Sequence, residues 1–201
     1  MRSAGITRVH IMDVITGAGA WRFQEAQARW PAANALYREV FAALGMPLLP
    51  GDEEIECDEN EFNAGYDKFL GIDVILCFTS GMEVTLQEKF LFTRYKTVTV
   101  EYMQDWQSQE QGDWFHMKAQ YYFVGYDRIR ALSFQDWILL DWAAAQRATS
   151  AGQIVWYELT NRQDGARASF RYMPFDAFPL SCIVACSDTY QRAKQITLPL
   201  C

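Results

Sequence analysis

Three β-type runs follow one another between residues 71 and 102, and they constrain the fold more than any other feature of the sequence. The first two flank the turn residues Thr79-Ser80-Gly81, and the third, TVTVEY, is rich in β-branched residues, which favour strands. Asp113 is a suitable N-cap for a short helix further along the chain. The predicted elements therefore run in the order β-β-β-α-β: strands 71–78, 82–92 and 97–102, a short helix 113–119 and a strand 121–126.

The loop between the first two strands predicts which of their residues face each other. A three-residue loop that ends in a left-handed Gly81 places Asp73 opposite Gln87. Since alternate residues of a strand share a face, Lys89 then lies on the same face as Gln87. A two-residue loop would instead pair Asp73 with Glu88, but the position of the glycine favours the first register. In that register we expect Glu88 to be a surface residue.

Asp73, Gln87 and Lys89 together suit metal-assisted cleavage of a phosphodiester bond. Asp73 supplies a carboxylate to a divalent ion, and Gln87 contributes a carbonyl oxygen to the same ion or orients its water. Lys89 stabilises charge on the phosphate or helps to activate the attacking water. Hard oxygen ligands favour Mg²⁺ or Mn²⁺, and such sites usually leave several positions to water and substrate. The sequence therefore predicts these three as catalytic residues, with Asp73 and Gln87 as metal ligands.

The sequence Gly-Ile-Asp at 71–73, a hairpin and Gln-Glu-Lys at 87–89 resemble the active-site pattern of the PD-(D/E)XK nuclease superfamily. The resemblance covers roughly residues 60–126. It implies an α/β, restriction-endonuclease-like αβββαβ core with a mixed central sheet flanked by helices, and a Mg²⁺-dependent endonuclease acting on DNA. Gln87 stands where the superfamily usually has Asp or Glu, and Ile72 stands where it usually has Pro. Because Gln87 carries no charge, we expect another carboxylate to help hold the metal.

Candidates for that carboxylate are Glu101, Glu61 and Asp67. Glu101 alternates with the apolar residues of the third strand, so it could face the site from there. Glu61 and Asp67 precede the first strand of the hairpin. The resemblance implies that a Glu of the first core helix sometimes binds metal, and Glu25 and Glu39 lie in the longer helix. The sequence leaves the choice among these residues open. His116 and Lys118, in the short helix, could reach a phosphate.

The negative charge of the chain is concentrated in one segment. The net charge is −7, and residues 52–61, DEEIECDENE, contain seven acidic residues and no basic one. Without them the chain would carry 18 acidic and 18 basic residues, so its global charge does not exclude a nucleic-acid partner. We expect this segment to be a solvated loop or the start of a helix. Cations near the hairpins are predicted to contact the DNA backbone: Arg94, Lys96, Lys118, Arg162, Arg167 and Arg171.

The N-terminal part is predicted to pack with this core in one domain of residues 1–201. Residues 6–15 are β-rich, and a helical region at 17–45 follows. Pro31 must kink or split that helical region, because proline lacks an amide hydrogen and clashes with the preceding turn.

The C-terminal elaboration, residues 131–201, begins with an ambiguous segment. Ser133 and Asp136 have the spacing of a capping box, which favours a helix, whereas residues 137–142 also suit a buried strand that leads into a helix. A C-terminal β-hairpin is then predicted, with strands at 154–160 and 167–173 and a turn at Asp164-Gly165.

The composition excludes several kinds of site. Only two histidines are present, so a multi-histidine zinc site is excluded. The five cysteines include no Cys-x-x-Cys pair, which disfavours a disulfide framework and indicates a reducing, cytoplasmic location. No apolar run approaches the ~18 residues that a membrane span needs. DNA is the expected partner, no membrane is expected, and a homodimer is left open.

Two other functions stay open at this point. The nuclease fold could persist without chemistry, as a DNA-binding or interaction module. Alternatively, a β-rich run followed by Gly17-Ala18-Gly19 has the shape of a nucleotide- or methyl-donor-binding loop. Arg22 occupies the place of the third glycine, and no clear strand with an acidic end is predicted to follow.

Overall fold

The computed structural model of the chain describes residues 4–11, 24–57, 70–93, 95–161 and 167–187. These residues form an α/β fold with a large mixed sheet, a small antiparallel sheet and few helices. The strands, numbered in chain order, are β1 (Ile6–Ile11), β2 (Asp52–Cys57), β3 (Val74–Cys77), β4 (Glu83–Leu91), β5 (Thr97–Asp105), β6 (Glu110–Gln111), β7 (Tyr121–Tyr126), β8 (Asp136–Asp141), β9 (Tyr157–Thr160), β10 (Ser169–Pro174) and β11 (Ile183–Cys186). The helices are α1 (Trp30–Ala43), α2 (Asp113–His116) and α3 (Trp142–Ser150), and 3-10 turns lie at Phe175–Ala177 and Leu180–Cys182.

The larger sheet has the strand order β11-β8-β7-β4-β3-β1-β2. β1 pairs in parallel with β2, and β4 pairs in parallel with β7, whereas the other neighbours are antiparallel. The carboxyl ends of β1, β2, β4 and β7 therefore lie at one edge of the sheet, and Asp73 precedes β3 at that same edge. Ligands of open α/β sheets commonly bind at the carboxyl ends of strands.

The smaller sheet has the order β6-β5-β10-β9. It contains β5, which was expected in the central sheet. The predicted order of elements, β-β-β-α-β, is confirmed along the chain apart from the two-residue strand β6 between β5 and α2, but β5 does not join β3 and β4 in the central sheet. β7 occupies the second edge of β4, and β5 pairs instead with β10 over most of its length. A three-stranded meander in the central sheet is therefore not what the structure contains.

The hairpin register that brings the predicted site together is confirmed. Phe78 N–H donates to the Met82 carbonyl over 2.9 Å, and Val74 pairs with Leu86. Gly81 has a φ of 83°, the left-handed conformation that the three-residue loop requires. Continuing this register one step beyond Val74 places Asp73 opposite Gln87.

The two faces of the larger sheet pack against different partners. On one, here called the helix face, even-numbered residues of β3 and β4 such as Val74 and Leu86 join Tyr37 and Phe41 of α1 in a buried cluster. On the other, here called the site face, β3 and β7 pack against α3 and against the buried face of β5. The resemblance implied helices on both sides, but part of the site face is covered by a second sheet.

Helix boundaries follow local chemistry, with one correction. Pro31 stands in the first turn of α1, which confirms that the helical region is split there. Asp113 was predicted to be an N-cap, but Gly112 is the cap and Asp113 is the first residue of α2. Asp141 caps α3, accepting a 2.7 Å hydrogen bond from the Ala144 amide, so the segment after residue 131 is a strand that leads into a helix.

The acidic segment is not a loop where it is described. Residues 52–57 form β2, which pairs in parallel with all six residues of β1. β2 is the edge strand of the larger sheet, and charged side chains are common on edges because they discourage pairing with other chains. The expectation of a solvated loop or a helix start is therefore wrong for residues 52–57.

The C-terminal hairpin is confirmed as the antiparallel pair β9 and β10, although it extends the smaller sheet rather than standing alone. Several predicted residues lie outside the described residues: Gly17, Gly19, Glu61, Asp67, Arg94, Arg162, Asp164 and Gly165. Within the described part of the chain, no helix is long and apolar enough to cross a bilayer.

Candidate functional site

Asp73, Gln87 and Lys89 lie on the site face near the carboxyl edge of the larger sheet. Asp73 is held by the neighbouring strand, because its Oδ2 accepts a 2.7 Å hydrogen bond from the Glu88 amide. Gln87 and Lys89 pair with Tyr122 and Val124 of β7, so β4 lies between β3 on one side and β7 on the other. The structure therefore brings the three predicted residues to one surface.

The side chain of Lys89 is partly buried and lies among carboxylates. Burial lowers its pKa, while the negative charges of Asp113, Glu101 and Asp73 act in the opposite direction. Lys89 forms no ion pair with any of the described residues, and its Nζ lies 5.5 Å from the centroid of the Phe170 ring. The ammonium group therefore lies near three carboxylates, without an ion-pair partner in the described part of the chain.

Glu101 and Asp113 extend the cluster from the smaller sheet and from α2. Gly112 places them side by side: a Cβ on this glycine would lie 2.8 Å from the Glu101 Cγ. Burial raises the pKa of both carboxyl groups; Asp113 raises that of Glu101 further, and Lys89 lowers both. The raised carboxyl pKa values therefore come mainly from burial, and the charge of Lys89 offsets part of that effect.

The amide oxygen of Gln87 is an exception to the usual satisfaction of buried polar atoms. Oε1 is buried and has no hydrogen-bond partner among the described residues. It faces Gly71, which has a φ of 55° and where a Cβ would lie 3.3 Å from this oxygen. Buried acceptors without a partner cost free energy, so this oxygen suits a ligand, water or ion that comes close to it.

The predicted metal ligands supply the right donor chemistry but not a complete cage. Asp73, Glu101 and Asp113 offer carboxylate oxygens and Gln87 an amide oxygen, which are ligands that Mg²⁺ and Mn²⁺ prefer. In the described ranges, no three His, Cys, Asp or Glu side chains are grouped closely enough to hold a metal ion by themselves. An ion at this site would take its remaining ligands from water and phosphate, as Mg²⁺ commonly does.

Glu88, expected at the surface, is buried on the helix face. Its Oε2 accepts a hydrogen bond from Arg8, and its Oε1 accepts one from the Tyr37 hydroxyl at 2.6 Å. Arg8 also donates to Asn34 over 2.6 Å and packs over the Trp30 ring. The correction has a simple cause: the strand face opposite Lys89 is covered by α1, so a charge there must be paired.

The predicted DNA-binding cations fall into different environments. Lys96 forms a 2.8 Å ion pair with buried Asp136, and Arg171 stacks over Tyr102 while pairing with Glu158. Arg167 pairs with Asp105, and Lys118 is exposed. His116 ends α2 and its charge acts on Asp113, and Lys118 follows just after the helix; both side chains are exposed. Lys96 and Arg171 instead pair with acidic residues of the protein.

Sequence reasoning missed two residues of this site. Asp113 was assigned only a capping role, although an acid at the start of the crossover helix is close enough in sequence to Glu101 to have been considered. Phe170 gave no signal, because its approach to Lys89 depends on the pairing of β10 with β5 across 69 positions, where it lies opposite Glu101.

Comparison with known proteins yields no match: no family model, no curated protein and no solved structure is significantly similar to this chain.

Proposed function

We propose that the protein is a divalent-metal-dependent deoxyribonuclease that hydrolyses phosphodiester bonds at the carboxyl edge of the larger sheet. One observation carries the proposal: among the described residues, Lys89 is partly buried near Asp73, Glu101 and Asp113 without an ion pair, and the neighbouring Gln87 oxygen has no hydrogen-bond partner. A phosphate that binds Lys89 would therefore displace no ion pair seen in that part of the chain. The resemblance of residues 71–89 to the PD-(D/E)XK pattern points in the same direction.

Each residue has a role that its environment supports. Asp73, Gln87 and Glu101 would hold Mg²⁺ or Mn²⁺, with Asp113 close to Glu101. When bound, such an ion lowers the pKa of a coordinated water and stabilises charge on the phosphate. Lys89 binds a non-bridging phosphate oxygen, and its lowered pKa lets it release a proton more readily than an exposed lysine does.

The experiment is incubation of the protein with plasmid, junction and linear DNA, with Mg²⁺ or Mn²⁺ and with a chelator. Cleavage that requires metal and is lost in Asp73→Asn supports the proposal. Asp105→Asn is the matched control, because Asp105 pairs with Arg167 away from the site. Cleavage that survives in Asp73→Asn at the wild-type rate would assign the activity to another site or to a contaminant.

A non-catalytic DNA-binding module is the second candidate. Two observations favour it: Gln87 is uncharged, and the described carboxylates do not form a complete metal cage. Metal-independent binding of DNA without cleavage, on every substrate form, would support this candidate over the first.

A third candidate uses the amino-terminal part of the chain. β1 and β2 are parallel and end at the same edge as Asp73, which is the arrangement of a nucleotide- or methyl-donor-binding unit. An adenosyl or nicotinamide compound that copurifies with the protein would support this alternative.

A further inference from the structure

A cavity lies beside the candidate site, between the larger sheet and the smaller one. Its volume is about 410 Å³, which is within the range of small-ligand sites. Leu91 and Tyr126 line it from the carboxyl ends of β4 and β7, and Thr99, Phe170 and Tyr172 line it from the smaller sheet. It is open to solvent beside the exposed side chain of Tyr95.

The cavity is continuous with the site through two contacts. Leu91 lies two residues beyond Lys89 on the same face of β4, so the lining of the cavity begins next to Lys89. The Phe170 ring lines the cavity and also lies under the Lys89 ammonium group, 5.5 Å from its Nζ. A phosphate bound by Lys89 would therefore have its attached nucleoside at the entrance to the cavity.

The lining suits a planar, uncharged ring system. Phe170, Tyr172 and Tyr126 supply aromatic surface, and none of the described lining residues carries a charge. Tyr172 is itself stacked on Tyr157 at 5.4 Å with an interplanar angle of 25°, which holds its ring in place. The Thr97 hydroxyl, 3.2 Å from the Tyr126 hydroxyl, offers a polar edge for specificity.

We propose that this cavity receives one unpaired nucleobase of the DNA strand whose phosphate lies at Lys89. The inference rests on the proposed function for the position of the phosphate, and it adds the class of substrate. A base can enter such a cavity only when it has left the duplex stack, and stacking on aromatic side chains then stabilises it. The substrate is accordingly single-stranded, frayed or distorted DNA rather than an intact duplex.

Binding measured with a chelator present tests the cavity separately from cleavage. The probes are a short fluorescein-labelled oligothymidine and a hairpin duplex of similar length. Wild-type protein should bind the oligothymidine more tightly than the duplex. Thr99→Phe fills the cavity with a ring and should weaken oligothymidine binding about tenfold, because roughly one stacked base is lost, while duplex binding changes little.

The matched control is Val155→Phe, which adds the same ring at an exposed position outside the cavity. Tyr172→Leu is a second test variant, which removes a stacking ring while keeping much of its volume and so guards against misfolding of Thr99→Phe. Oligothymidine binding that is unchanged in both cavity variants, or wild-type binding that prefers the duplex, would overturn the inference.

Two outcomes separate this inference from the proposed function. If cleavage is metal-dependent but the cavity variants bind oligothymidine as wild type does, the nuclease stands and the base site fails. If no cleavage occurs but the cavity variants lose single-strand binding, the base site stands and the chemistry fails.

Discussion

Glu88 and Lys89 are neighbours on β4, yet the two faces of the sheet treat their charges in opposite ways. Glu88 is 6% exposed and has a complete set of partners in Arg8 and Tyr37. Lys89 points to the other face, where three carboxylates influence its pKa but none pairs with it. Glu88 is buried and neutralised by Arg8, whereas Lys89 is partly buried and has no ion-pair partner among the described residues.

The difference separates a structural charge from one that is available for a ligand. A buried ion pair with good hydrogen bonds costs little, whereas a buried charge without its partner is strongly destabilising. The helix face meets this requirement with protein groups alone. On the site face, Lys89 lies near Asp73, Glu101 and Asp113 but forms no ion pair with any described residue, so its charge is available to a bound phosphate.

The largest expected effect is loss of the helix-face pair. Arg8→Met should lower the free energy of unfolding by about 3–5 kcal/mol, because Glu88 stays buried without its cation. Urea unfolding measures the change, and activity per folded molecule should be unaltered. Arg167→Met is the control, since its ion pair is exposed and contributes under about 1 kcal/mol. Equal losses of the free energy of unfolding in the two variants would show that burial of the Arg8–Glu88 pair does not increase its contribution to stability.

On the site face, we expect a substitution to reduce activity much more than stability. Asp73→Asn should reduce metal-dependent cleavage by about 10²–10³-fold or more, because a charged group at the reacting phosphate is lost. Its amide oxygen can still accept from the Glu88 amide, so we expect a smaller loss of the free energy of unfolding than in Arg8→Met. Single-turnover cleavage and urea unfolding measure the two quantities. A large loss of stability with little loss of activity would make Asp73 a structural residue like Glu88.

A smaller effect concerns Tyr37. Burial and the Glu88 carboxylate raise its pKa well above 10.0 in the folded protein. Unfolding then exposes a phenol of ordinary pKa, so this contribution to stability is complete below pH 10 and is lost as the pH rises above it. Tyr37→Phe should lower the free energy of unfolding at pH 8 by about 1.5–3 kcal/mol, because it removes the hydrogen bond to Glu88.

Comparing Tyr37→Phe with wild type at alkaline pH also tests the raised pKa of Tyr37. The stability gap between wild type and Tyr37→Phe should narrow by about 1.4 kcal/mol for each unit of pH well above 10. The other tyrosines are common to both proteins and cancel in the difference. A gap that stays constant from pH 8 to pH 11.5 would contradict the raised pKa of Tyr37.

The smallest effect is expected from Gln87→Glu. An added carboxylate beside Asp73 should raise affinity for Mn²⁺ on the order of tenfold, about 1.4 kcal/mol, with cleavage retained. Isothermal titration without DNA measures the affinity. Thr85→Glu, on the same strand face but further from Asp73, is the control. Lower stability without any gain in metal affinity would mean that the Gln87 oxygen is simply a buried polar atom.

The central hairpin could be predicted because its determinants are local. Gly81 fixes the turn, the turn fixes the register, and the register brings Asp73 opposite Gln87. The alternation of Val98 and Val100 with Glu101 likewise predicted which side of β5 is buried, and both valines are fully buried. Short-range geometry was therefore enough to predict that Asp73, Gln87 and Lys89 share a face, and on which face of β5 Glu101 lies.

The remaining features depend on partners far along the chain. Glu88 is paired with a residue 80 positions away, and β5 is taken into a second sheet by β10. The strand character of residues 52–57 is hidden by their charges and becomes evident only next to β1. Asp136 illustrates the same point: its spacing from Ser133 suggested a capping box, but it binds Lys96 and Arg128 at the start of a strand.

The contact between Lys89 and Phe170 has a consequence for the order of events during synthesis. Asp73, Lys89 and Asp113 leave the ribosome well before β10, and proteins begin to fold as they emerge. Until β10 pairs with β5, the Phe170 ring does not cover Lys89, so the ammonium group is more hydrated than in the folded protein. Docking of the C-terminal hairpin thus adds one part of the burial that lowers the pKa of Lys89, and a nascent chain carries the candidate residues before their surroundings are complete.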